Sequence, residues 1–246
     1  MDLYITGANG FIGGHLIDFF KQKSKFNVIG ISYGANKVKG NIIYSDYSDV
    51  NWFIEQMHNS KNIVVIHTAA YIPDDKNKFF DKSTYAINGN IDNFICKLFS
   101  KVEVRKIIYF SSIAIYGYGY KDLIDINEKS QILINNYYAK SKLYGEKVIL
   151  DVFEKKAYVM RLSSPYGFGK KRKNILEKMY DNACNNKDLI IYGNGKRIQD
   201  YIYIDDICQV VNNIVNYEVD YGLYNLGSGH SYKMFDVARI IVKVMN

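Results

Sequence analysis

Short apolar runs alternate along this chain with segments whose apolar residues recur every three or four positions. Leu3-Tyr4-Ile5 is the first run, and Ile12, Leu16, Phe19 and Phe20 then follow at helical spacing. Residues 26–31 read as a second strand, 41–45 as a third, 62–67 as a fourth and 106–110 as a fifth. Between them, helical patterns cover residues 49–58 and 76–101, and further helices begin at Tyr137 and near Lys233. The fourth run is apolar throughout, as a parallel strand covered on both faces requires. Strand alternating with helix predicts an α/β chain with a doubly wound parallel sheet. Ligands of such sheets bind outside the carboxyl ends of the strands. Three stretches fall at those ends: the glycine turn after the first strand, Thr68-Ala69-Ala70 after the fourth, and Ser111-Ser112 after the fifth.

The first of these reads Thr6-Gly7-Ala8-Asn9-Gly10-Phe11-Ile12-Gly13-Gly14. Glycines there let the backbone turn sharply and approach a phosphate, while the positive helix end attracts an anion. A dinucleotide pyrophosphate fits. The spacing is Gly-x-x-Gly-x-x-Gly, and by itself a tight strand–helix corner explains it equally well. The second strand ends in Ser32-Tyr33-Gly34, with no acid until Asp46 and with Lys37 and Lys39 nearby. An acid at that place takes the ribose hydroxyls of NAD, and a base suits the phosphate of NADP. The pattern leans toward NADP, the alternative being that both lysines lie on a surface loop and touch nothing.

Tyr138 and Lys142 are four residues apart at the start of a helix and share one of its faces. A free tyrosine is a poor acid–base group near neutrality, and a lysine ammonium beside it favours the phenolate. Ser112, at a strand's carboxyl end, is placed to orient a substrate oxygen. A Tyr–Lys pair at this spacing is also an ordinary feature of exposed helices; its meaning comes from the glycine turn and the serine together.

Composition narrows the picture. The chain has 246 residues, 48% hydrophobic and 23% charged, with no repeat and no linker-like tract, enough for one large α/β domain with or without a small lobe. The net charge of +7 comes mainly from dispersed lysines, apart from the run at 170–173. Without a recognised motif this does not indicate nucleic acid, and a small anionic substrate accounts for it. No apolar run reaches membrane-spanning length, and the opening strand leaves no room for a signal peptide, so no membrane is expected and cytoplasm is the default. Cys96, Cys184 and Cys208 are scattered, and the four histidines do not cluster; no metal site is expected. His67 reads as a structural residue at a strand end.

Seven stretches in order, at 6–13, 67–70, 111–117, 138–142, 161–167, 193–206 and 224–229, resemble the extended short-chain dehydrogenase/reductase family, the NAD-dependent epimerase/dehydratase group acting on nucleotide sugars. The resemblance implies a Rossmann-type domain over 1–164. A small substrate lobe, short or incomplete where the sequence stops at Asn246, would occupy most of 165–246, with segments returning to the sheet. It implies Ser112, Tyr138 and Lys142 as the catalytic set. It places Gly7, Asn9, Gly10, Phe11, Ile12 and Gly13 at the cofactor pyrophosphate, with Ser32, Asp46 and Tyr47 at the adenosine half. Ala69, Ala70, Asn88, Tyr138 and Lys142 would complete the cofactor site. Substrate would meet Ser112, Ser164, Arg197 and Gln199, and a homodimer would form through helices near 77–101 and 137–154.

Three departures shape the expected function. Dehydratases of the group carry Asp-Glu directly after the position of Ser112, whereas this chain has Ile113-Ala114, which cannot transfer protons. Ser164 and Gln199 stand where Asn and Arg are usual, so the nucleotide's customary clamps are altered; Arg197 or the 170–173 run would replace them. The expectation is therefore an NAD(P)-dependent oxidoreductase of a nucleotide-linked sugar, with 4-keto reduction ahead of NAD-dependent 4-epimerisation. The same chemistry on a non-nucleotide ketone and a non-catalytic cofactor-binding protein are the further alternatives.

Overall fold

The computed structural model describes residues 1–57, 60–75, 77–117, 125–169, 173–191 and 193–245. Its chain contacts divide it into two units, one of Met1–Leu162 with Cys208–Asn225 and the other of Ser163–Ile207 with Leu226–Asn246.

The first unit opens with β1 (Asp2–Thr6), α1 (Phe11–Lys21), β2 (Asn27–Tyr33), β3 (Lys37–Lys39) and β4 (Ile42–Ser45). It continues through α2 (Val50–Gln56), β5 (Ile63–His67), α3 (Lys82–Phe99), β6 (Val104–Ser112), α4 (Tyr137–Phe153) and β7 (Ala157–Leu162). Then come β8 (Ser164–Tyr166), α5 (Ile175–Cys184), β9 (Ile198–Tyr203), α6 (Ile204–Asn216), β10 (Gly222–Leu226), β11 (Ser231–Lys233) and α7 (Met234–Met245). The large sheet has eight strands in the order β10-β7-β6-β5-β1-β2-β4-β3. From β4 to β7 the neighbours are parallel, and β3 is added antiparallel at the edge. The predicted doubly wound sheet is what forms. Strand order reverses between β1 and β5, so the crevice where this fold class takes ligands lies at the ends of those two strands.

Side chains of the central strands alternate between the two faces of the sheet, and both sets are buried. Tyr4, Ile63, Val65, Ile107, Tyr109 and Val159 pack with Val50, Phe53, Phe94, Ile95, Phe99, Ile149 and Phe153 of α2, α3 and α4. The intervening Leu3, Ile5, Val64 and Ile66 are 0% exposed on the other face. There α1 comes so close to β2 that a Cβ on Gly30 would lie 3.1 Å from Ile17 Cδ1. A sheet sandwiched this way has no solvated face, which is why its strands read as plain apolar runs.

The second unit contains a three-stranded sheet, β11-β9-β8, with β8 and β9 parallel and β11 antiparallel to β9. Met179 of α5, Tyr201 of β9, and Met234, Val237, Ala238 and Ile241 of α7 form its core.

Several boundaries differ from the sequence expectation, for local reasons. The helix read over 76–101 begins at Lys82. Asn77–Phe80 form a separate 3-10 turn, and the Asp81 carboxylate accepts from Ser83 N and starts the helix. The helix read from 49 to 58 is α2, capped by Asp49 accepting from Trp52 N; His58, like Lys76, lies outside the described residues. The fifth strand, expected over the five residues 106–110, extends to Val104–Ser112, because its ends still pair with β5 and β7. Lys37 and Lys39 lie on an edge strand rather than a loop, with Lys37 Nζ 5.1 Å from the centroid of the Tyr44 ring.

Candidate active site

At the end of β1, Gly7 turns with φ +69°, and a Cβ there would lie 2.7 Å from Thr68 Oγ1 and 3.1 Å from Ala69 N. A Cβ on Gly13 would stand 2.3 Å from Gly7 O. Glycine is required at both places. The Gly10 amide donates to Gly7 O at 2.7 Å, and Gly10, having no side chain, caps α1 without a side-chain hydrogen bond. The positive end of α1 is therefore offered to a bound anion. Asn9 ties the turn to the second strand by donating to Ser32 Oγ at 2.8 Å.

A cleft of about 860 Å³ opens at this turn. Of the residues expected around a cofactor, Gly7, Asn9, Gly10 and Ser32 line it on one side, with Asp46, Tyr47, Ala69 and Ala70 around the remainder. Phe11, Ile12 and Gly13 form the first turn of α1 behind it. Asp46 Oδ1 accepts from the amide and hydroxyl of Ser48 at 3.0 and 2.5 Å. Tyr47 has φ +61°, its ring centroid is 5.4 Å from that of Phe94, and burial pushes its phenol up to about 12. The α3 side of the cleft is lined by Ile87, Asn90, Ile91 and Lys97 among others, none singled out by sequence. Their signal was slight: helical spacing marks a stripe, not what faces it. Lys97 brings a cation to the cleft that the lysines of β3 were expected to supply.

The catalytic candidates gather at the carboxyl end of β6. The Asn136 side chain accepts from Ala139 N at 2.8 Å and sets the first turn of α4. Tyr138 and Lys142 are 8% and 4% exposed on its buried face. The Tyr138 ring meets Phe79 edge-on, with centroids 5.6 Å apart. Lys142 Nζ donates to Phe110 O at 2.8 Å and sits 4.9 Å from the centroid of the Tyr109 ring. Burial holds its pKa below the ordinary lysine value, opposed by the charges of Asp92 and Glu146. Ser112 Oγ accepts from Ala114 N at 3.1 Å, at the start of the 3-10 turn Ile113–Tyr116. Asn88 uses its whole amide: Oδ1 accepts from Tyr71 N at 2.7 Å, and Nδ2 donates to Tyr71 O at 3.1 Å and Ser141 Oγ at 3.0 Å. It fastens the segment after β5 to α4.

Beneath these residues run two buried polar networks that sequence did not reveal. In one, Arg161 donates from Nε and a terminal nitrogen to the two oxygens of Glu146 at 3.0 and 2.7 Å, and Ser111 donates to the same carboxylate at 2.5 Å. In the other, Asp92 accepts from His67 Nε2 at 3.0 Å and from the Tyr109 hydroxyl at 3.2 Å. His67 reaches Thr6 Oγ1 at 2.7 Å through its other nitrogen. A signal for Asp92 was available: it is an acid on the buried stripe of α3, between Asn88 and Ile95.

In the second unit, Ser164, Gln199 and Arg197 are brought together. Gln199 donates to Ser164 Oγ at 2.7 Å and accepts from the Arg197 guanidinium at 2.9 Å. Next to them, Asp200 accepts from Ser228 N at 2.9 Å and Gly229 N at 3.1 Å, fixing the turn before β11. Of the basic run, Lys173 pairs with Asp181, and residues 170–172 lie outside the described part. Among the described residues no cluster of His, Cys, Asp or Glu could hold a metal, and no helix is long and apolar enough to cross a membrane.

The model of the NAD dependent epimerase/dehydratase family matches residues 3–227. A dTDP-D-glucose 4,6-dehydratase from Dictyostelium discoideum is 28% identical over 275 residues, covering 98% of this chain and 62% of its own length. This chain thus spans less than two thirds of that relative. A putative UDP-glucose 4-epimerase from Methanocaldococcus jannaschii is 25% identical over 255 residues, covering 97% of this chain and 81% of its own. Among solved structures, a UDP-glucuronic acid 4-epimerase from Bacillus cereus in complex with UDP-glucuronic acid and NAD superimposes with a TM-score of 0.81. At 20% identity, over 99% of this chain and 83% of that one, the likeness is one of fold.

Proposed function

The chain belongs to the NAD dependent epimerase/dehydratase family, and from that premise we propose that it exchanges a hydride between a nicotinamide cofactor and the C4 carbon of a nucleotide-linked sugar. The observation that carries this reading is the pair Tyr138 and Lys142, buried together on one face of α4 with the ammonium seated on Phe110 O. The cleft suits the cofactor: its glycines admit no Cβ and its helix end favours a phosphate.

Gly7, Asn9, Gly10, Phe11, Ile12 and Gly13 would hold the pyrophosphate, and Ser32, Asp46 and Tyr47 the adenosine half. Ala69 and Ala70 would leave room for the nicotinamide half, with Asn88 keeping that segment in place. Bound there, the nicotinamide supplies a reversible hydride acceptor. Tyr138 takes the proton of the sugar hydroxyl, Lys142 stabilises its phenolate, and Ser112 hydrogen-bonds the same oxygen. Within the second unit, Arg197, hydrogen-bonded to Gln199, would be the guanidinium available to a diphosphate.

Among the reactions open to the family, water elimination is disfavoured, since the side chains of Ile113 and Ala114 have no acid–base group and Ala114 is 1% exposed. Inversion at C4 with retained NAD needs no acid–base groups beyond Ser112, Tyr138 and Lys142, and likeness to the putative UDP-glucose 4-epimerase, covered over 81% of its length, supports it. Reduction of a 4-keto sugar with NADPH is the second reading, favoured by Ser32 and Tyr33 in place of an acid at the end of β2 and by Lys97 in the cleft. Mass spectrometry of the nucleotide released on denaturation separates them. Stoichiometric NAD with no consumption of NADPH supports inversion, and turnover of NADPH on a keto-sugar supports reduction. Replacing Tyr138 by Phe should lower turnover by about two to four orders of magnitude while cofactor binding persists. Near-normal turnover of that variant would remove the mechanism.

A further inference from the structure

The direct partner of the Lys142 ammonium is a neutral carbonyl, and the side chain is 4% exposed. A cation so enclosed needs a nearby negative charge. Two carboxylates act on it, Asp92 from α3 and Glu146 one turn further along α4. Glu146 already carries the fork of Arg161, an ion pair 3% exposed on each side. Its two oxygens are thus already engaged with another cation. Asp92 is different. Its partners are the Tyr109 hydroxyl and His67 Nε2.

The protons of the network can be assigned from its geometry. Thr6 Oγ1 accepts from Ala69 N at 2.9 Å, so its own proton can go to His67 Nδ1 at 2.7 Å. The imidazole then carries its proton on Nε2 and donates to Asp92, and every donor has an acceptor with the ring neutral. The Asp92 charge is left to face Lys142. Tyr109 stands between them, its hydroxyl on the carboxylate and its ring face toward the ammonium. Glycine at 145 is what allows this approach, because a Cβ there would lie 2.4 Å from Asp92 Oδ2.

We propose that Asp92, held by His67 and Tyr109, is the counter-charge and positioning residue of Lys142, keeping that lysine protonated and seated beneath Tyr138. The proposal rests on the reading of Lys142 as the partner of Tyr138. The other titratable groups facing Lys142 are Tyr109 of β6 and Tyr138 and Glu146 of its own helix. The Tyr109 phenol is held well above its ordinary value by burial and by Asp92, so it contributes no charge of its own.

The test is a pH titration of the folded protein labelled with ¹³C at the lysine ε carbons, with the Lys142 signal assigned by its loss in Lys142→Arg. Asp92→Asn should lower the Lys142 midpoint by about one pH unit or more, a loss of roughly tenfold in proton affinity. Tyr109→Phe, which keeps the carboxylate, should leave the midpoint near the wild-type value. No shift in Asp92→Asn, or equal shifts in both variants, would overturn the assignment, the second because general loosening would then explain it. If Asp92→Asn does not fold, Asp92→Ser, smaller and equally uncharged, takes its place. With turnover measured, the alkaline fall of kcat/KM should move down by the same interval. A shifted lysine with an unmoved pH–rate profile would leave the counter-charge standing and overturn the role given to Lys142.

Discussion

Lys142 and Arg161 are both buried cations attached to the same stretch of α4, and they are held in opposite ways. Arg161 bonds through all three of its nitrogens: two meet both oxygens of Glu146, and the third donates to the Tyr116 hydroxyl at 2.8 Å and to Glu128 O at 3.3 Å. Lys142 has one neutral acceptor, an aromatic face at 4.9 Å, and a carboxylate reached only across Tyr109. A forked, buried pair fixes the ends of β6 and β7 against the helix, and a ligand could engage its charges only by breaking strong charge-assisted bonds. An ammonium with unused donors can accept a new partner without first breaking a strong one. The first arrangement suits a support, the second a working group.

The comparison breaks most severely at Glu146. Glu146→Ala leaves the Arg161 guanidinium buried without its anion, and should cost about 3–5 kcal/mol in denaturant unfolding. A loss below about 1 kcal/mol would show that water or another group compensates, and the contrast with Lys142 would fail. A smaller effect is expected at Gly145, where an added Cβ would lie 2.0 Å from the Tyr109 hydroxyl. Gly145→Ala should cost about 1–3 kcal/mol by overpacking, and it should weaken Tyr138-dependent turnover along with stability, because it separates α4 from Asp92.

The smallest effect is a slope. Burial holds the Lys142 pKa below 10.5, so the folded chain releases that proton at lower pH than the unfolded chain does. Between the folded value and 10.5 the unfolded state binds more protons, and this group's contribution to stability rises with pH. Thermal melts across that interval should therefore show a more positive slope for the wild type than for Lys142→Met. Equal slopes would mean that Lys142 is no less protonated in the fold than in the unfolded chain.

Much of the fold was legible because the sheet is covered on both faces. Each of its central strands must be apolar along its length, so 62–67 declares itself without any alternation. The strands β8, β9 and β11 gave no such signal. Ser164–Tyr166 and Ser231–Lys233 have three residues each, too few for any period, and β11 is exposed throughout. At the candidate site, legibility followed spacing. Gly7, Gly10 and Gly13 form one turn, and Tyr138 and Lys142 are one helical turn apart, so local geometry already joins them. Asp92 and Tyr109 are 17 residues apart, on a helix and a strand, and nothing in their neighbours announces the hydrogen bond between them.

The sequence by itself determined the alternation of strand and helix, the turn that only glycines can make, and the pairing of Tyr138 with Lys142 on one face of α4. These are consequences of backbone geometry over a few residues, which side-chain order specifies directly. Tertiary structure alone decided which charges surround the lysine, that Asn88 holds its neighbours by its whole amide, and that Lys97 rather than Lys37 or Lys39 lines the cleft. Those outcomes depend on which elements the sheet order sets side by side, and on the rule that a charge removed from water must find a partner wherever the fold supplies one.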